Sequence, residues 1–214
     1  STTPQEVTWQ QMINFTHGGG GINLFCRQHH FHLKIVDIGV NHDLSSIPGI
    51  INDKVDFGTK NFLYGPAMTE DQFNEAIDKG AQLVDICHAE GCNVIGIGEM
   101  GIGNTSPSSV WMSLLGNFPL SECIGAGSGL SPQKVSHKKE VLQKAVDRFL
   151  CSHHETGHER VFTILRYFGG FEMIGAIGAM LRAAELNMMI LIDGFIMTAC
   201  VLGASLLEPD ILPY

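Results

Sequence analysis

Asn93-Val94-Ile95-Gly96-Ile97-Gly98-Glu99-Met100-Gly101-Ile102-Gly103-Asn104-Thr105-Ser106-Pro107-Ser108-Ser109 is the stretch on which the fold turns. A short apolar run gives way to a glycine-rich turn. The turn leads into a helix-compatible segment carrying Val110, Trp111, Met112, Leu114 and Leu115. Strand, glycine turn and helix start together present backbone N–H groups to a phosphate. Glu99 sits inside that turn, where a carboxylate does nothing to hold phosphate. Its presence points to a site that grips a phosphorylated ligand and handles a proton or a cation beside it. The plainer reading is a tight turn with a solvated carboxylate, but the glycines plus Asn104-Thr105-Ser106 exceed what a turn requires. Glu99 then serves as a general base or stabilises positive charge on a sugar carbon.

Working outward, Thr3-Pro4-Gln5-Glu6 reads as a capping box, with Thr3 as N-cap and Pro4 at the first helical position, opening a helix to about residue 16. A short helix over 22–28 follows the four glycines 18–21. Leu33-Lys34-Ile35-Val36-Asp37-Ile38-Gly39-Val40 is continuous enough in apolar residues for a buried parallel strand. Residues 43–66 are punctuated by Pro and Gly and read as a long loop with room for minor strands. Thr69 with Gln72 starts a helix whose buried stripe is Phe73, Ala76, Ile77, Gly80, Leu83, Val84 and Cys87. Residues 122–129 read as a short strand ending in a glycine turn, and Ser131-Pro132 opens a helix to about residue 150. A small-residue helix over 171–186, a strand over 188–192 and a helix over 195–207 complete the pattern. Strands alternating with helices predict an α/β fold, a mainly parallel sheet with helices on both faces, as one domain over 1–214. Its glycine turns then gather at the C-terminal ends of the strands, where such sheets bind ligands.

With 44% apolar and 16% charged residues, the chain has the composition of a well-buried α/β protein. Its net charge of −9 argues against nucleic acid or an anionic membrane as partner. The six cysteines form no Cys-x-x-Cys pair and lie mostly in apolar segments, which favours free thiols and a reducing, cytoplasmic setting. The apolar C-terminal region is interrupted by Arg182, Glu185 and Asp193 and does not read as a membrane span. The chain opens on Ser1 and stops just after an apolar helix, so it is expected to be part of a longer protein.

Three further motifs carry chemistry. Residues 125–129, Gly-Ala-Gly-Ser-Gly, can cradle a phosphate with Lys138 as counter-charge. Taken alone they read as a flexible turn and a surface lysine. Gly169-Gly170 and Asp193-Gly194 are simple element termini individually, yet together with the other glycine turns they imply one shared cleft. His154-Glu155-Thr156-Gly157-His158 matches H-E-x-x-H, which on a helix can bind zinc beside a general-base glutamate. Thr156 and Gly157 weaken that helix, and its flanks are polar, so a zinc hydrolase is the lesser alternative. His29-His30-Phe31-His32 reads as a solvated loop. No metal or cofactor is expected.

With these segments in hand, the chain resembles the nicotinate-nucleotide–dimethylbenzimidazole phosphoribosyltransferases of cobalamin lower-ligand synthesis. The resemblance rests on Pro4-Gln5-Glu6-Val7-Thr8, Val36-Asp37-Ile38-Gly39-Val40, Pro66-Ala67-Met68-Thr69, Gly98-Glu99-Met100-Gly101-Ile102-Gly103-Asn104-Thr105, Gly169-Gly170-Phe171-Glu172 and Leu191-Ile192-Asp193-Gly194-Phe195. It runs nearly end to end. It implies the Rossmann-like large domain of such an enzyme, within a homodimer, with the small helical domain largely missing. The implied reaction moves the phosphoribosyl group of nicotinate mononucleotide to a nitrogen of 5,6-dimethylbenzimidazole, releasing nicotinate and giving α-ribazole 5′-phosphate.

The resemblance also implies roles. Glu99 falls at the family's active-site glutamate. Gly101, Asn104, Thr105, Gly125 and Gly127 would line the nucleotide, and Lys138 would meet its phosphate. Thr3 and Gln11 match positions that contact the benzimidazole, and Glu172 and Asp193 match acidic positions near the ribose. The family's second glutamate, its principal base, lies in a Gly-Glu-Gly motif beyond Tyr214. The alternative is therefore a nucleotide-binding fragment, catalytically incomplete as it stands.

Overall fold

The computed structural model describes residues 3–127 and 129–214. The elements in order are α1 (Glu6–Thr16), α2 (Gly21–His29), β1 (Ile35–Asp37), β2 (Ile50–Asn52), α3 (Glu70–Ala89), β3 (Val94–Gly96) and α4 (Thr105–Gly116). They continue with α5 (Leu120–Cys123), α6 (Pro132–Ser152), α7 (Gly157–Phe168), α8 (Phe171–Glu185), β4 (Met189–Leu191), α9 (Gly194–Leu207) and a 3₁₀ turn over Pro209–Ile211. The fold is mixed α/β. Its described strands form two separate two-stranded parallel ladders, β1 with β2 and β3 with β4. Ile35 stands opposite Ile50, and Val94 opposite Met189.

α3 follows its sequence signals closely. The Thr69 hydroxyl accepts the Gln72 N–H at 3.2 Å, and Gln72 Oε1 accepts the Thr69 N–H at 3.0 Å, so two orphan donors are satisfied reciprocally. Its neighbour α8 is buried along most of its length, with Met173, Ile174, Ile177, Met180 and Ala183 fully enclosed. The two helices touch backbone to backbone: a Cβ at Gly80 would overlap the Gly175 carbonyl, and one at Gly178 the Ile77 carbonyl. The small residues of α8 serve this contact, and larger side chains on its other faces fill one continuous core with Trp111, Phe149, Phe168 and Met197.

Several expected elements differ. The apolar run 33–40 contributes only three strand residues, because Asp37 turns the chain. Its Oδ1 accepts the Val40 N–H at 2.9 Å, and its Oδ2 pairs with Lys54 Nζ at 2.7 Å. The loop after it supplies the three residues of β2, a minor strand of the kind that loop has room for. Residues 120–123 form a helical turn rather than a strand, with Pro119 at its cap and Leu120 buried beneath. α1 begins at Glu6 with Gln5 at the cap, two residues later than the capping-box reading. α7 is an additional helix; Gly157 at its start, with φ +59°, masks a periodicity carried by Val161, Ile164, Leu165 and Phe168.

All six cysteines are free thiols; Cys26 and Cys200 are buried, whereas Cys151 is exposed. No helix among the described residues is long and apolar enough to cross a membrane. After the 3₁₀ turn the chain comes up beside β4, where the Ile190 N–H donates to the Tyr214 carbonyl at 3.0 Å. The Met189 N–H donates to Asn93 of the β3 side, so Tyr214 lies along the opposite edge of β4.

Candidate active site

β3 ends at Gly96, and the loop to α4 folds around the Glu99 carboxylate. Glu99 Oε2 accepts the Gly101 N–H at 2.7 Å and also accepts from Asn104 Nδ2. Asn104, 6% exposed, is itself held by the start of α4: its carbonyl accepts the Ser108 N–H at 3.1 Å and the Ser108 hydroxyl at 2.8 Å. The loop is therefore a built structure, with both ends of its key amide fixed. α1 leans against it, since the Thr8 hydroxyl donates to the Met100 carbonyl at 3.1 Å. Gln11 lies one turn further along α1, half-buried, with its Oε1 accepting from Asn14 Nδ2 at 3.1 Å. Thr3 is half-buried ahead of that helix.

A second cluster flanks the first at the N-terminus of α4. Lys138 Nζ, delivered by α6, donates to Thr105 Oγ1 at 2.8 Å. Burial pushes its pKa down, and among the described residues it has no ion-pair partner. Gly127, with φ +55°, brings its backbone against the same hydroxyl; a Cβ there would stand 3.1 Å from Thr105 Oγ1. The positive end of α4, a desolvated ammonium and a close backbone loop together form an anion-binding corner. Gly125 is exposed in that loop, and Ser128 lies outside the described residues.

Glu172 enters from the second position of α8. Its Oε1 accepts from Asn104 Nδ2 at 3.1 Å. Its carboxyl packs on the Cα atoms of Gly101 and Gly170, where a Cβ would collide with it. The residue keeps some accessible surface. The carboxyl is nonetheless pushed above the usual range, mainly by burial and further by the charge of Glu99, against the lowering effect of its own N–H and of Asn104. Asp193 caps α9 directly after β4 and is exposed. Since β4 runs parallel to β3, Asp193 and Glu99 emerge at the same end of that ladder. Glu99, Gly101, Asn104, Thr105, Gly127, Lys138 and Glu172 are thus joined by direct contacts; among the described residues no hydrogen bond joins Gln11 or Asp193 to them.

Two neighbours escaped the reading of the sequence. Thr8 ties α1 to the loop. Cys200 is buried on α9, its thiol raised well above the ordinary value by burial and by the nearby Glu172 and Glu99 charges. Thr8 does belong to the Pro4-Gln5-Glu6-Val7-Thr8 block; Cys200 has no local signal. A surface groove of 410 Å³ near α5 and α6 includes Lys139 and Lys144 but none of the joined side chains.

The zinc alternative fails on geometry. α6 ends at Ser152 and α7 begins at Gly157, so His154 and Glu155 lie in the break and His158 on the next helix. The i, i+4 pairing that H-E-x-x-H requires is not formed. His153 instead stacks on Phe149 at 4.5 Å. No group of three His, Cys, Asp or Glu side chains among the described residues is placed to hold a metal ion.

Comparison with known proteins identifies the family and the fold. A family model described as phosphoribosyltransferase matches residues 1–214. The nicotinate-nucleotide–dimethylbenzimidazole phosphoribosyltransferase of Bacteroides fragilis is 56% identical over the whole chain, which covers 60% of that protein. Those of Phocaeicola vulgatus and Dechloromonas aromatica are 53% and 44% identical, with 60% and 61% of their lengths covered. The crystal structure of CobT from Thermus thermophilus superposes with a TM-score of 0.90 at 31% identity, over 99% of this chain and 62% of that one. The chain spans about 60% of the length of the curated relatives it matches. The match over every residue of the chain and the shared fold settle the family: this chain belongs to the nicotinate-nucleotide–dimethylbenzimidazole phosphoribosyltransferase family.

Proposed function

We propose that the chain is the core of an enzyme that transfers phosphoribose from nicotinate mononucleotide to 5,6-dimethylbenzimidazole, in cobalamin lower-ligand synthesis. One observation carries the reading: a carboxylate pinned through one oxygen stands beside an anion corner made by Lys138, Thr105 and Gly127. The 5′-phosphate takes the corner, where it supplies the anion that the half-buried ammonium lacks. This anchors the ribose at a fixed distance from Glu99. A ring nitrogen of the azole attacks C1′ as the bond from C1′ to the pyridinium nitrogen breaks. The electron pair of that bond returns to the ring, which departs as nicotinate with its ring nitrogen neutral. The azole N–H proton passes to a carboxylate base. Glu99 supplies that base or stabilises the positive charge developing on C1′. Gln11 and Thr3 take the azole, and Asp193 and the partly exposed Glu172 border the ribose.

The protein acts in the cytoplasm as a homodimer, with no nucleic-acid or membrane partner. Its fold is read as the Rossmann-like large domain, a mainly parallel sheet with helices on both faces; the parallel pairing of both ladders supports the parallel part of that reading. A second reading, a core that binds nucleotide without turning it over, is favoured by the chain covering only 60% of its relatives. Calorimetry with nicotinate mononucleotide on the 214-residue chain, treated beforehand with a chelator, tests the site. Saturable binding is expected, and a folded chain that binds none contradicts the proposal. Assay with both substrates then separates the readings, since turnover by this chain rules out the second.

A further inference from the structure

We propose that Glu172 is a positioning residue for Glu99, acting through the Asn104 amide. The inference rests on the transferase reading above, but its geometry stands independently of it. The Asn104 side chain has two N–H protons, and it spends them on two carboxyls, Glu99 Oε2 and Glu172 Oε1. Turned over, the side-chain amide would set its oxygen against the Glu99 carboxylate, so Nδ2 faces the pair. Glu172 is in turn confined by the Cα atoms of Gly101 and Gly170. The chain of contacts ends at Glu99, where both donors fall on one oxygen, Oε2. Oε1 accepts no hydrogen bond among the described residues and is the oxygen left to meet a substrate proton or the sugar.

The crowding also separates the two carboxyls chemically. Burial and the Glu99 charge favour the neutral form of Glu172, so the pair need not hold two adjacent negative charges. A neutral Glu172 still offers a carbonyl oxygen to Asn104. The structure thus asks of position 172 an acceptor oxygen, not a charge.

That requirement sets the test. In a protein of the relatives' length carrying this chain, Glu172→Met is expected to lower kcat on the order of tenfold or more, a larger effect than any rise in KM from the lost carboxyl beside the ribose. Glu172→Gln, which keeps the acceptor, is expected to recover most of that loss. In an Asn104→Ala background, Glu172→Met is expected to add almost nothing, because the link is already cut. Losses that multiply in the double variant, a rise in KM alone, or a Gln variant as impaired as Met would each overturn the proposal. A readout free of catalysis guards against failure of the functional reading itself. The Asn104 side-chain amide protons, followed by nuclear magnetic resonance on the 214-residue chain, are expected to be protected from exchange in the parent and in Glu172→Gln. They should exchange markedly faster in Glu172→Met. Equal protection in all three chains refutes the link even if no variant turns over, and loss of protection in Met supports it even then.

Discussion

Lys138 has given up part of its hydration without gaining a carboxylate, and Thr105 Oγ1 is a neutral partner for it. Such an ammonium gains more from an incoming phosphate than a solvated lysine does. Lys138→Ala is therefore expected to weaken nicotinate mononucleotide binding by about tenfold or more, the size of a charged hydrogen bond; unchanged affinity in calorimetry would remove it from the site. Glu99→Gln keeps the shape of the loop and removes the charge. Turnover should fall by on the order of 10²-fold while nucleotide affinity holds, and kinetics beside calorimetry on one preparation check both halves. Glu172 makes its own pH prediction. A carboxyl raised on folding favours the folded chain while protonated, and that contribution is lost as the pH climbs through the raised value. Denaturation measured from acid toward neutral pH should show the parent losing stability relative to Glu172→Gln. Glu99 stood out as a carboxylate inside a glycine turn, whereas Lys138 by residue type alone read as a surface lysine, and its contact with Thr105 is a tertiary one. The contact of Glu172 with Asn104 was not legible either, because a partner 68 positions away in sequence leaves no local trace.

Among the elements, legibility followed the strength of local chemistry. α3 announced itself through Thr69, Gln72 and an unbroken apolar stripe, and Thr69→Ala should cost about 1 kcal/mol of stability by denaturant titration. β1 is shorter than its apolar run because Asp37, an ionic side chain at its end, finds Lys54 and the Val40 N–H, a tertiary event that hydropathy does not register. α5 and α7 were obscured by the residues at their starts, Pro119 and Gly157, which resemble loop punctuation in sequence and serve as helix entrances in space. The contact between α3 and α8 leaves no room for a methyl group. Gly80→Ala, favourable in an isolated helix, should destabilise the protein by about 1–3 kcal/mol through overpacking, and a rise in thermal midpoint would contradict this packing.

At the scale of the molecule, the order of strand, turn and helix was readable from alternation, whereas the division of the strands into two short ladders was not. Periodicity says which residues are apolar but not which strands pair, and three-residue strands hold too few side chains to encode a partner. One consequence lies at the edge where Tyr214 meets β4. Met189 and Leu191 there are 56% and 54% exposed, beside Val94 at 44%. Exposed apolar side chains on the sheet face at this margin invite other chains to pack on it. The isolated 214-residue chain is therefore expected to scatter light increasingly with concentration, and Leu191→Lys, placing a charge on that margin, to keep it dispersed. If the lysine changes nothing, the stickiness lies elsewhere; if it clears the solution, β4 is where this chain seeks company.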